Sequence, residues 1–134
     1  MRAILRLHGT PLLACVIANL ALPATCCGAP FAYITNQGSD TVHVIDLDSN
    51  KTLANIPVGK DPAGVATAAD GLHVYVSNPT DQSISVISAE TNSVVDEIKI
   101  GGNPLGLVAH PSKPVLYAAD WDNHRIIVIN TATD

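Results

Sequence analysis

The chain has 134 residues, a formal net charge of −5, 14% charged residues and only 4% aromatic residues. An excess of acidic side chains gives no basic surface for nucleic acid or for an anionic membrane, and scarce aromatic rings give no platform on which bases could stack. The composition therefore predicts no nucleic-acid partner.

An export signal is predicted at residues 1–29. Two arginines precede an apolar run at residues 11–22, and small residues follow the run. This order is typical of a signal peptide, which we expect to be cut between Ala24 and Pro30. A transmembrane helix would need about 20 apolar residues, more than this run provides. We therefore expect an exported protein (periplasmic, cell-surface or secreted) with no transmembrane segment in the mature chain.

The cysteines leave one alternative open for this leader. Cys15, Cys26 and Cys27 are the only cysteines of the chain, and all three lie in the leader. A lipoprotein signal would acylate Cys26, although Thr25 before it fits poorly with the small residues that such signals use. Residues 30–134 have no cysteine and carry five basic and twelve acidic residues, a net charge of −7. Packing without disulfides must hold them together.

Short strands are predicted along the rest of the chain. The segments are rich in Val, Ile, Thr and Tyr, and turn residues such as Asp70-Gly71 separate them. The predicted order is three strands (31–36, 41–47, 52–58), then four (62–69, 73–78, 83–88, 93–100), then three more within 104–130.

A period of 42 residues organises these strands. It relates Tyr33, Tyr75 and Tyr117; Asn36, Asn78 and Asp120; Gly59 and Gly101; Pro62 and Pro104; and Gly64 and Gly106. Periods in the low forties are typical of helical arrays or β-propellers, and the strand pattern favours propellers. Apolar residues on both faces of the third strand of a repeat fit a blade that lies between two others. The predicted fold is all-β, a β-propeller of four-stranded antiparallel blades. About two and a half blades are present, with parts at 31–58, 62–100 and 104–130.

The strand count predicts an open arc instead of a closed ring. The first blade lacks its innermost strand and the last lacks its outermost strand, so two blade faces are expected to be exposed. The chain is therefore predicted to be a fragment of a larger propeller, or to need further blades or another chain that covers these faces. Gly64 and Gly106 are both expected to be required, because blades converge near the axis and a side chain there would crowd its neighbours.

Several segments resemble one known repeat family. They are "AYITN" at 32–36, "VYVSN" at 74–78, "SVIS" followed by "TNSVV", Pro57-Val58-Gly59 and Asp70-Gly71. These resemble the YVTN-type β-propeller repeat, found in surface-layer and YncE-like exported proteins. The resemblance covers everything after the leader and implies an exported propeller. It implies no single activity, because such propellers have varied roles.

The polar segment "DWDNH" at 120–124 is the strongest candidate for a cation site. Asp120, Asp122 and His124 would be its ligands. The equivalent segments at 36–40 and 78–82 have different donors, so turn chemistry is the competing interpretation. The other histidines after the leader, His43, His73 and His110, have no metal-binding spacing.

The predicted function is a non-enzymatic exported scaffold that presents blade edges and loops to a protein or cell-surface partner. The innermost strands would line the central channel, and Thr67 and His110 are almost their only polar groups. General acid–base catalysis needs a positioned titratable group, so no catalytic residue and no cofactor are predicted. Two alternatives remain: an enzyme similar to propeller lactonases or quinone-dependent dehydrogenases, and a truncated gene product with no independent function.

Overall fold

The structure is a computed structural model that describes residues 30–132. Within this range it consists of ten β-strands and one short 3-10 turn at Gln37–Ser39. The strands are β1 Phe31–Asn36, β2 Thr41–Asp46, β3 Lys51–Pro57, β4 Val65–Thr67, β5 His73–Asn78, β6 Ser83–Ser88, β7 Ser93–Lys99, β8 Pro104–Ala109, β9 Val115–Asp120 and β10 Arg125–Asn130. No helix in the described part of the chain is long and apolar enough to cross a membrane. The predicted signal peptide lies outside the described residues.

The strands form three antiparallel sheets in chain order. The first blade is β1-β2-β3, the second is β4-β5-β6-β7, and the third is β8-β9-β10. Within each blade, every strand pairs with the next along the chain, which short turns between strands allow. The predicted sequence of three, four and three strands is confirmed.

Strand pairing repeats with the sequence period. Phe31 lies opposite Asp46 in the first blade, and the pair of residues 42 positions later, His73 and Ser88, lies opposite in the second blade. The pairing of β2 with β3 and of β6 with β7 is interrupted by a bulge at equivalent positions. The sequence repeat is therefore also a repeat of backbone geometry.

The predicted bounds of the innermost strand, 62–69, are too long. The backbone N–H of Ala63 donates to the carbonyl of Ser77 at 3.0 Å, while the N–H of Ser77 donates to the carbonyl of Gly64 at 2.9 Å. Two residues thus oppose one, which is a bulge that delays regular pairing until Val65. Pro62, which has no N–H to donate, is fully buried just before this bulge.

The core consists of two layers between the three blades. The first layer contains Tyr33, Val42, Val44 and Ile56 of the first blade with Val74, Val76 and Ile87 of the second. The next layer contains Tyr75, Ile84 and Val86 of the second blade with Leu107, Leu116 and Ala118 of the third. Each of the seven residues in the first layer has a repeat equivalent 42 positions later, which lies in the second layer or packs against it. The two middle strands of the second blade, β5 and β6, are therefore buried on both faces, as the apolar pattern of β6 predicts, whereas the outer strand β7 is mostly exposed.

Candidate functional site

Asp120 is the most strongly bonded group of the predicted cation site. It ends β9, and its side chain is fully buried. One carboxylate oxygen, Oδ1, accepts the backbone N–H of Asn103 at 3.0 Å. The other, Oδ2, accepts Nδ2 of Asn123 and Nε of Arg125, both at 2.8 Å. The carboxylate thus joins the loop that enters the third blade to the hairpin that follows β9.

The two other candidate ligands also take part in loop structure. Asp122 accepts Nδ2 of Asn103 at 3.2 Å. His124 has a left-handed backbone with φ of 50°, and its repeat equivalents Asp40 and Gln82 have φ of 54° and 53°. The conformation thus belongs to the hairpin and not to the imidazole. Residues 30–132 contain no group of three His, Cys, Asp or Glu side chains placed to hold a metal ion. The cation site stays a prediction that this geometry does not support.

The pKa of Asp120 is held at about 2. Removal of the carboxyl from water would raise this pKa, but the hydrogen bonds from Asn123, Arg125 and the backbone of Asn103 outweigh that effect. In the unfolded chain an aspartate titrates near 3.9. Between pH of about 4 and 2 the unfolded state therefore binds more protons at this position. The contribution of Asp120 to stability is present above this window and is lost as the pH falls through it.

Asp120→Asn should flatten the acid dependence of stability. We expect the urea midpoint of the full chain to fall between pH 4 and pH 2.5, and to fall less in the variant, because one coupled proton is removed. Urea unfolding at pH 7, 4 and 2.5 measures this. Asp122→Asn, which changes an exposed carboxyl two residues away, is the matched control and should keep the wild-type slope. Equal slopes in the wild type and Asp120→Asn would contradict the assignment.

Asn78, the repeat equivalent of Asp120 in the second blade, is also a buried side chain that forms hydrogen bonds at the end of its strand. Asn78 is fully buried, and its Nδ2 donates to Ser83 at 3.3 Å and Ser85 at 2.8 Å. A Cβ on Gly59 would come within 2.5 Å of the Asn78 side chain, and one on Gly102 would overlap the Asp120 carboxylate. The loops between blades therefore need glycine where they cross these side chains. Gly101, which the period predicts as the counterpart of Gly59, instead has a left-handed φ of 62°.

The inner strands offer little for catalysis. Thr67 is exposed at the end of β4. His110 follows β8, and its Nδ1 accepts the backbone N–H groups of Ser112 at 3.1 Å and Lys113 at 3.2 Å. These bonds stabilise a turn and occupy the nitrogen that could act as a base.

A pair of hydroxyls near the inner edge is absent from the sequence-based predictions. Oγ of Ser77 accepts the N–H of Gly64 at 2.8 Å and lies 3.2 Å from the carbonyl oxygen of Leu105 in the next blade. Thr35, its repeat equivalent, donates to the carbonyl of Ala63 at 3.0 Å. The only indication of this pair in the sequence is that Thr35 and Ser77 are 42 residues apart and both carry a hydroxyl. The third repeat has Ala119 there and no hydroxyl.

The third blade has an exposed apolar face. Ile84 is 0% exposed and Val86 is 7% exposed, whereas their equivalents Ile126 and Val128 are 69% and 64% exposed. Tyr117 is also exposed, although the equivalent tyrosines of the first two blades are buried. Val108, Tyr117 and Val128 lie side by side in register across β8, β9 and β10. The same residue types are thus covered in two repeats and open in the third.

Solved structures similar to this chain include β-propeller proteins. Kuenenia stuttgartiensis hydrazine synthase is 29% identical with a TM-score of 0.72, over 76% of this chain and 30% of that chain. The dihydro-heme d1 dehydrogenase NirN, in complex with DHE, is 17% identical with a TM-score of 0.67, over 77% of this chain and 22% of that chain. The Cps50 (Swd1) β-propeller domain of Myceliophteria thermophila is 11% identical with a TM-score of 0.59, over 76% and 35%.

These similarities show the fold class. The described chain is an open, partial β-propeller, as the sequence predicts. It spans about a third or less of the length of the structures it matches. No family model matches the sequence, and neither does any curated protein. The resemblance to the YVTN-type repeat is therefore not confirmed.

Proposed function

We propose that this chain is an exported, non-enzymatic binding scaffold of the YVTN type, and that the exposed face of the third blade is its binding surface. One observation carries the proposal: Tyr117, Ile126 and Val128 are exposed, while the same positions of the two preceding blades are buried. Contiguous exposed apolar surface on a soluble protein marks an interaction site. The third blade has three described strands, so its face measures roughly 240 Å² from strand spacing and rise, and burial of that area contributes about 6 kcal/mol.

The partner that fits this surface is another polypeptide that presents a sheet face of the blade type. The second layer of the core provides the template, because Leu107, Leu116 and Ala118 cover Tyr75 and Ile84 there. A partner face with aliphatic residues at the same three positions would cover the third blade in the same way. A second copy of this chain is disfavoured, since each copy carries a net charge of −7 after the leader and like charges repel.

Export is supported by the sequence of the leader. The positive start, the short apolar run and the small residues that follow are the pattern of a cleaved signal. Intact-mass measurement of the protein recovered outside the cytosol tests this part of the proposal. Removal of a segment that ends between Ala24 and Pro30 is expected, and a cytosolic protein that retains Met1 would contradict it.

An enzymatic role is the second candidate, because two of the similar propellers are named as enzymes, a synthase and a dehydrogenase. Likeness of fold alone does not transfer an activity. Lactone-hydrolysis and dehydrogenase assays of the full chain distinguish the two candidates. Turnover that is lost in His110→Ala would favour the enzyme, and absence of turnover agrees with the scaffold.

The proposal that the third-blade face binds a blade-type sheet can be tested by fusing an additional blade to the C-terminus of the chain. A copy of residues 93–134, appended after Asp134, continues the 42-residue period without interruption. We expect the added strands to cover the third blade, to raise the melting temperature by about 5 °C or more, and to slow thiol labelling of a Val128→Cys variant at least tenfold. Mass spectrometry of the peptide that contains residue 128 separates this label from those on leader cysteines.

The matched control carries Leu116→Asp in the appended copy only. A charged residue at this buried position should prevent docking, so labelling of residue 128 should stay fast. Equally fast labelling with the unaltered copy would mean that a blade-type sheet does not cover this surface, and the proposal would be wrong.

A further inference from the structure

Among residues 30–132, the inner edge of β1 has no partner strand, and the equivalent edges of the other two blades show how a strand would pair there. β1 pairs only with β2 among the described residues. The equivalent strands β5 and β9 each pair with a second strand at this edge, β4 and β8 respectively. In the second blade the backbone groups of His73 and Ser77 point toward β4. By repeat equivalence, those of Phe31 and Thr35 point toward the free edge of β1.

From this juxtaposition we infer that the inner edge of β1 is an acceptor site for an extended peptide segment of a partner polypeptide. The segment would add as an antiparallel strand, a recognised mode of peptide binding in which main-chain hydrogen bonds give the affinity. The inference goes beyond the proposed function, because this edge lies at the other end of the arc from the third-blade face. It stands whether or not that face binds a partner.

Thr35 supplies the first element of specificity. In the second blade, the Ser77 hydroxyl lies between two inner strands and contacts both, through Gly64 of its own blade and Leu105 of the next. The Thr35 hydroxyl makes one of these contacts, to Ala63 of the next blade. Its oxygen can still accept a backbone N–H, and an added strand would donate one at the position that Gly64 occupies on Ser77.

We call the added strand the guest. Its residue at the position equivalent to Gly64 must be glycine. A Cβ on Gly64 would lie 2.6 Å from the carbonyl oxygen of Leu105 and 3.0 Å from the nitrogen of Leu107, both backbone atoms of the next inner strand. A guest on β1 would have β4 in the same place, with Ala63 and Val65 as the equivalent residues. Only a residue without a side chain fits between Thr35 and β4.

The groove beside this edge defines the rest of the guest. It has a volume of about 400 Å³ and runs along the inner side of the arc, lined by Phe31 and Tyr33 of β1, residues 65–67 of β4 and residues 107–109 of β8. Ala66 and Ala68, at two and four residues after Gly64, pack against the following blade, so the guest needs small residues there. Pro62 and Pro104, two residues before Gly64 and Gly106, are both fully buried, so a proline is expected at this position too. The recognised pattern is therefore Pro-x-Gly-x-small-x-small. A second copy cannot supply it, because the segments at 62–68 and 104–110 are already paired within their own blades.

The probe is a fluorescent synthetic peptide with the sequence of residues 61–68, DPAGVATA, added to the full chain. We expect saturable binding by anisotropy, and slower hydrogen exchange of the amides of Phe31 and Thr35 when peptide is bound. A peptide with Gly64→Val should bind at least tenfold more weakly. Thr35→Val in the chain should weaken binding about fivefold, since it removes one hydrogen bond and keeps the shape.

Three results would overturn the inference. One is no saturable binding, and another is equal binding of the Gly64→Val peptide. The third is protection that appears at 125–130 on the opposite edge, or that is already present at Phe31 and Thr35 without peptide because another segment of the chain occupies the site. The peptide variant needs no change in the protein, so the test holds even if Thr35→Val does not fold.

Discussion

Gly64→Val should strongly destabilise the protein, whereas Gly106→Val should have almost no effect. A Cβ at Gly64 meets backbone atoms of β8 at 2.6 and 3.0 Å, and the backbone of a packed neighbouring strand cannot move away without disturbing the second core layer. We expect a loss of about 3 kcal/mol and a melting temperature lower by about 10 °C or more. Thermal unfolding of both variants of the full chain, followed by circular dichroism, measures the difference.

The sequence predicts that Gly106 is required in the same way as Gly64, and the structure does not support this for Gly106. Gly106 is the repeat equivalent of Gly64, but the nearest atom to its Cβ would be Cβ of Ala119 at 3.8 Å, an ordinary contact. No inner strand follows β8 among residues 30–132, so nothing crowds this position. A melting temperature for Gly106→Val as low as that for Gly64→Val would contradict the arrangement of the blades described above.

Ile84→Ala and Ile126→Ala should differ by several kcal/mol although they change the same residue type at the same repeat position. Ile84 is fully buried in the second core layer, and its truncation should cost about 2–5 kcal/mol through lost burial and a residual cavity. Ile126 is 69% exposed, so its truncation should cost less than about 0.5 kcal/mol. Urea unfolding of the two variants gives both values.

A second measurement links this pair to the exposed face. Ile126→Ala should also lower the fluorescence of a hydrophobic dye bound to the native protein, because it reduces the apolar surface that the dye covers. Ile84→Ala should not lower it. If Ile126→Ala were as destabilising as Ile84→Ala, something in solution would already cover the third blade, and the assignment of this face as open would be wrong.

The sequence predicted most of the fold because its local and repeat signals agree. Alternating apolar residues and turn residues gave the bounds of β1, β5 and β6 without error. The shortened β4 was not predictable in the same way, because its bulge results from two residues that pair with Ser77 on another strand. Strand propensity carries no information about such pairing.

The candidate site was less predictable for a related reason. The carboxylates of Asp120 and Asp122 could bind a cation or accept hydrogen bonds from a loop. Only their three-dimensional contacts with Asn103, which donates to both, show that the loop is their partner. The hydroxyls of Thr35 and Ser77 have ordinary strand sequences around them. Their importance depends on the neighbouring blade, which lies 28 residues farther along the chain at each contact.

The equivalent positions used in the two core layers have an evolutionary consequence. Because Tyr33 and Val44 meet the second blade as Tyr75 and Val86 meet the third, each repeat carries one half of two different interfaces. Duplication of any 42-residue stretch would therefore insert a whole blade and regenerate both termini of the array, wherever the breakpoints fall. An array of this kind can therefore lengthen by whole blades, because each added repeat brings both halves of an interface with it.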